Sequence, residues 1–95
     1  MQINTEQLGK ASSIIRALNH PERQEILTFV LEKGETNVKS IYGEMAKEQS
    51  VISLHLKELK KAGFVTSQKA GQERIYSVDV KFLAKFTSII SDLCK

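Results

Sequence analysis

Apolar residues recur at helical spacing in five stretches of the chain and at strand spacing in two. Leu8, Ala11, Ile14, Ile15 and Leu18 share one face of a first helix. Asn4 and Gln7 open it as a capping box, and Asn19-His20-Pro21 stops it. Pro21 suits the first turn of a second helix, where its missing N–H costs nothing. Ile26, Leu27, Val30 and Leu31 form that helix's inner face up to Gly34, a C-cap. Asn37 caps a short third helix with Val38, Ile41, Tyr42 and Met45 inward. After Ala46-Lys47-Glu48 a fourth helix runs from Gln49 or Ser50 to Ala62, and Gly63 ends it. Phe64–Lys69 and Arg74–Val78 are β-rich, with Ala70-Gly71-Gln72-Glu73 as a hairpin tip. Asp79 caps a last helix reaching about Cys94.

The predicted fold is therefore mainly α with a small β-hairpin, in the order α-α-α-α-β-β-α. The third and fourth helices are short and closely joined, as in a helix-turn-helix, and the hairpin follows at once, as a wing does. On the fourth helix, Ile52, Leu56 and Leu59 lie within about 60° of one another. Leu54 falls almost opposite them, among Ser50, Lys57 and Lys61. An apolar residue there calls for a contact outside the fold.

With 95 residues, 41% hydrophobic and 26% charged, the chain is read as one globular domain over residues 1–95. It holds no apolar run near the ~20 residues of a membrane span. The start MQINTEQLGK lacks the apolar segment of a secretory signal, and Cys94 is the single cysteine, so a cytoplasmic location is expected. Net charge is only +3, but its placement matters. Residues 49–74 hold five bases (Lys57, Lys60, Lys61, Lys69, Arg74) and two acids, while the rest of the chain balances. All the net positive charge lies on the fourth helix and hairpin, the footprint of a phosphate-facing surface.

Catalysis finds no support, because no nucleophile–base–acid constellation or phosphate-binding glycine loop occurs. A zinc site needs about four N, S or O ligands. One Cys and two His, far apart in sequence, give no local site, so no metal and no cofactor is expected. His20 reads as a capping or packing residue and His55 as a partly buried one. DNA is the partner the residues favour. The second helix of a helix-turn-helix presents its N-terminal residues to base edges in the major groove. Gln49, Ser50, Ser53 and Leu54 occupy those positions. Gln pairs with adenine, Ser with either base type, and Leu54 with a thymine methyl or a sugar. Lys57 and Lys61 are placed for phosphates, and Lys69 and Arg74 for the backbone or minor groove beside the wing.

Residues 17–27, ALNHPERQEIL, match the pattern A-L-x-H-P-x-R-x-x-I-L. Residues 50–65, SVISLHLKELKKAGFV, match S-x-x-S-x-H-L-x-x-L-x-x-A-G-L-V, with Phe64 in place of Leu. Arg74-Ile75-Tyr76-Ser77-Val78 is similar to a returning wing strand. Over residues 11–93 the chain resembles the ArsR/SmtB-type winged helix-turn-helix regulators. The resemblance implies a homodimeric repressor whose first and last helices form the dimer interface. The residues agree. On the last helix Phe82, Leu83, Phe86, Ile89, Ile90, Leu93 and Cys94 span about 140° of the wheel, where a single small core needs roughly 100°. With Leu8 and Ile15, the residues Phe82, Phe86, Ile89, Ile90 and Leu93 are the expected interface. The chain departs from the family at its usual metal positions. The third helix has no Cys or His, and the last offers only Asp79, Asp92 and Cys94. The reading is a regulator binding a palindromic operator through helix 49–62 and wing 64–78. The alternatives are a winged-helix protein-interaction module that does not bind DNA, and a thiol-responsive repressor switched at Cys94.

Overall fold

Helix starts and stops in this chain follow from a few side chains. The computed structural model describes residues 5–93, leaving aside the side chains of residues 7, 8 and 89–93. The expected capping box at Asn4 and Gln7 lies outside the described residues. Helix α1 spans Thr5–Leu18 and α2 Pro21–Lys33, with Pro21 at the first position of α2. Asn37 Oδ1 accepts the Ser40 N–H at 2.8 Å and so opens α3, Val38–Met45. Helix α4 is Gln49–Ala62. It ends in a Schellman motif, the Gly63 N–H bonding the Lys60 carbonyl and the Phe64 N–H the Leu59 carbonyl at 3.0 Å. Gly63 has φ 103°, and a Cβ there would stand 3.2 Å from the Phe82 ring, so glycine is required twice over. Asp79 Oδ1 accepts the Phe82 N–H at 3.0 Å and opens α5, Val80–Leu93.

Three details differ from the sequence expectation. A two-residue strand β1, Thr36–Asn37, precedes α3 and pairs with β3 (Glu73–Val78), which also pairs with β2 (Val65–Ala70). The sheet thus has three antiparallel strands in the order β1-β3-β2. Two residues carry no periodicity, so β1 exists only through its partner. The hairpin tip is tighter than read, because Ala70 pairs with Glu73 and leaves Gly71 and Gln72 as the turn. Gly71 has φ 67° and Gln72 is not positive, as in a II′ hairpin. Leu31 is 44% exposed rather than inward. It lies about 100° round α2 from Val30, past the edge of the buried stripe.

The core gathers Ile26, Leu27 and Val30 of α2, Ile41 of α3, and Ile52, Leu56 and Leu59 of α4, closed by Phe64 and Val65 at the root of the wing. Phe64 is fully buried, with Phe82 and Phe86 edge-on at 5.2 and 5.3 Å between centroids. This aromatic trio seats α5. No helix among the described residues is long and apolar enough to cross a membrane.

Candidate nucleic-acid interface

Helix α4 has two faces of opposite character. Ile52, His55, Leu56 and Leu59 are buried, while Gln49, Ser50, Ser53, Leu54, Lys57, Lys60 and Lys61 are exposed. The exposed set joins a polar start, which carries no acid in its first turn, to a basic last turn. Leu54 is 53% exposed. It stands on this polar face, as its helical phase requires, and its burial does not contribute to folding.

The wing completes the surface. Register places Val65, Ser67, Lys69, Arg74, Tyr76 and Val78 on one side of the β2–β3 ribbon. Lys69 and Arg74 face each other across the strands and are both exposed. The Lys60 ammonium donates to Ser67 Oγ at 2.7 Å, and Arg74 Nη1 donates to the same oxygen at 3.3 Å. One hydroxyl therefore draws a lysine of the helix and an arginine of the wing together. Sequence reading counted Lys60 in the charge but not in the site. Its signal was its phase, within about 20° of Ser53 on the flank of α4 that meets the wing. Lys61 stays on the Leu54 side, near the end of the helix and apart from this joint. With Lys10, Arg16 and Arg23 it lines a groove of about 450 Å³ between α1, α4 and Phe82 of α5.

On the other side of α4, the two motifs quoted above meet. Arg23 Nε donates to His55 Nδ1 at 3.1 Å, and His55 Nε2 lies 3.1 Å from Glu22 Oε2. With Nδ1 accepting, Nε2 carries the proton and donates it to the carboxylate. Arg23 also donates to the Ala17 carbonyl at 3.2 Å, tying the end of α1 into the cluster. Lys47, from the turn before α4, pairs with the second Glu22 oxygen at 3.5 Å. The His55 hydrogen bond holds the Glu22 carboxyl below its ordinary range, with Lys47 assisting and desolvation opposing. The lowered value makes this pairing fully present above the ordinary carboxylate pKa and lost as pH falls below it, through the lowered one. The His20 ring packs edge-on against His55 at 4.7 Å. His55 is thus 5% exposed and fixed on both nitrogens. The sequence marks His55 only as a partly buried helix residue and does not show the clasp, because its partners lie more than 30 residues away.

Of the residues expected at a dimer interface, Ile15 is 45% exposed, and Phe82 and Phe86 are half-buried against Phe64. The side chains of Leu8, Ile89, Ile90 and Leu93, and Cys94 as a whole, lie outside the described residues. Val80, not anticipated, is 58% exposed at the start of α5.

Comparison with known proteins agrees with this fold. A family model described as "Bacterial regulatory protein, arsR family" matches residues 20–67. An uncharacterized HTH-type transcriptional regulator of Methanocaldococcus jannaschii, MJ1325, is 34% identical over 88 residues, 93% of this chain and 99% of that protein. The HTH-type transcriptional repressor SmtB of Mycobacterium tuberculosis is 34% identical over 79 residues, 83% of this chain but 58% of its own length. Among solved structures, the homodimeric winged helix-turn-helix DNA-binding domain Mb0332 of Mycobacterium bovis superposes with a TM-score of 0.78 at 21% identity, covering 98% of this chain and 87% of that one. The two sequence relatives are named as regulators of transcription rather than as enzymes.

Proposed function

This chain belongs to the arsR family of bacterial regulatory proteins, and from that premise we propose that it is a homodimeric repressor that closes on a palindromic operator. It is a DNA-binding winged helix-turn-helix regulator of transcription. The finer reading rests on one observation above all. The exposed face of α4 carries Leu54 at 53% exposure amid Ser50, Ser53 and Lys57, while the opposite face is locked into the core. In this reading Gln49, Ser50, Ser53 and Leu54 meet base edges in the major groove. Lys57 and Lys61 meet phosphates along the helix. Lys69 and Arg74 meet the backbone or minor groove at the wing, and Lys60 joins them through Ser67.

The dimer reading draws on the exposed Ile15 and Val80 on α1 and α5 and on the homodimeric state of the Mb0332 domain. The repressor reading draws on the name of SmtB. Two recognition helices related by a two-fold axis enter successive major grooves ~34 Å apart. Selection of bound duplexes from a random library tests all of this together. The expected product is an inverted repeat with one-turn half-site spacing. Recovery of no enriched sequence would sink the operator, and recovery of single half-sites would sink the dimer. A transcription assay on the selected site then separates repression from activation.

A further inference from the structure

We propose that His20, Glu22 and His55 form a binding site for a divalent transition ion of the zinc type, joining the start of α2 to the recognition helix α4. One donor atom from each residue lies within 4.8 Å of the others. Ligand distances of about 2.0–2.1 Å around a tetrahedral ion place neighbouring donors roughly 3.3 Å apart. His55 Nε2 and Glu22 Oε2 already stand 3.1 Å apart. The third donor needs only a small approach.

His20 supplies the second observation. Its Nδ1 is buried and has no hydrogen-bond partner. A buried imidazole nitrogen without a partner is costly, and a metal ion satisfies it. Capping does not account for the residue. His20 occupies the N-cap position of α2, yet its side chain makes no cap bond. Two imidazole nitrogens and a carboxylate oxygen suit zinc, cobalt or nickel and not the all-oxygen shells of calcium or magnesium. Glu22 keeps a side-chain exposure of 26%, so water can reach the fourth position.

The site has a definite proton balance. In the ion-free arrangement His55 carries its proton on Nε2 and accepts from Arg23 at Nδ1. Loading requires the Nε2 lone pair, so the proton leaves Nε2 and one is taken up at Nδ1, with no net release. Two donors then face each other, and Arg23 must turn away from His55 while keeping its bond to the Ala17 carbonyl. Lys47 stays on the other Glu22 oxygen. Ion binding thus exchanges one link between α2 and α4 for another. This site lies on neither the third nor the last helix, and it does not depend on which DNA the protein reads.

Cobalt titration of the full chain under reducing conditions tests the proposal. The expected result is one Co²⁺ per chain, with the visible bands of a four-coordinate ion, no thiolate charge-transfer band, and displacement by Zn²⁺. His20→Ala and Glu22→Gln should each weaken binding at least about tenfold, since loss of even an outer-shell partner costs roughly 10–100-fold. Cys94→Ser should leave the spectrum unchanged. Absence of binding, binding indifferent to His20→Ala, or binding lost with Cys94→Ser overturns the site. Should a variant fail to fold, the imidazole resonances of the unsubstituted chain decide. Those of His20 and His55 must both move with one equivalent of Zn²⁺, and unmoved resonances overturn the site equally.

Discussion

Leu54 and His55 are neighbours on one helix, and each sits where its chemistry would not send it. The leucine is 53% exposed and the histidine 5%. A step of about 100° round α4 turns one to the polar face and the other into the fold. What differs is what each face must satisfy. The inner face needs shape and complete hydrogen bonding, and His55 meets that need through Arg23 and Glu22. The outer face around Leu54 packs against no part of the core, so a residue there is free to serve an outside surface. Helical phase, more than side-chain type, decides which residue is structural.

The largest test of that contrast is His55→Ala. It removes a buried ring, leaves Arg23 Nε without its acceptor and takes a partner from Glu22. Denaturant unfolding should show a loss of about 2–3 kcal/mol. A loss within 0.5 kcal/mol, the ordinary range for surface changes, would place His55 outside the structural face. Gly63→Ala comes next, at about 2 kcal/mol, because it meets both the positive φ and the Phe82 ring. A stable Gly63→Ala protein would mean that neither the positive φ nor the Phe82 ring constrains the end of α4.

Leu54→Ala should do the reverse. Stability should change by less than about 0.5 kcal/mol, while affinity for a selected operator falls by about 1 kcal/mol, roughly fivefold. A clearly destabilised Leu54→Ala protein would erase the distinction between the faces. The smallest effect belongs to Lys60→Ala. It should weaken binding to specific and random duplexes alike and lower the salt dependence by about one phosphate contact. Weakening confined to the selected sequence would turn Lys60 into a base-reading residue.

Much of this was legible in the sequence, for reasons that particular residues make plain. Asn37, Gly63 and Asp79 act on backbone within a few positions of themselves, so their caps could be read directly. The α4 stripe could be read because a helix repeats. Thr36 and Asn37 could not be read as a strand, since their conformation depends on Tyr76 and Ile75 some 40 positions on. The same holds for the candidate site. The exposed face of α4 followed from phase alone, whereas the Lys60–Ser67–Arg74 joint and the His55 clasp needed the fold to assemble them. Distance along the chain, not subtlety of chemistry, marked the limit.

Phe64 carries a consequence of a mechanical kind. It closes the Schellman turn of α4, stands at the root of the wing, and seats Phe82 and Phe86 of α5. Its carbonyl also accepts the Asp79 N–H at 2.9 Å, which pins the return of the wing to the same point. Such a joint ties helix, wing and terminal helix to one residue, so a change of that side chain reaches all three. In the proposed dimer built on α5, this joint stands between the dimer-forming helix and each recognition helix. In that proposed dimer the ring at position 64, where the family pattern has leucine, would act as a spacer. Phe64→Leu is then expected to change the preferred half-site separation, read by selection of bound duplexes, with the proposed DNA-facing residues left in place.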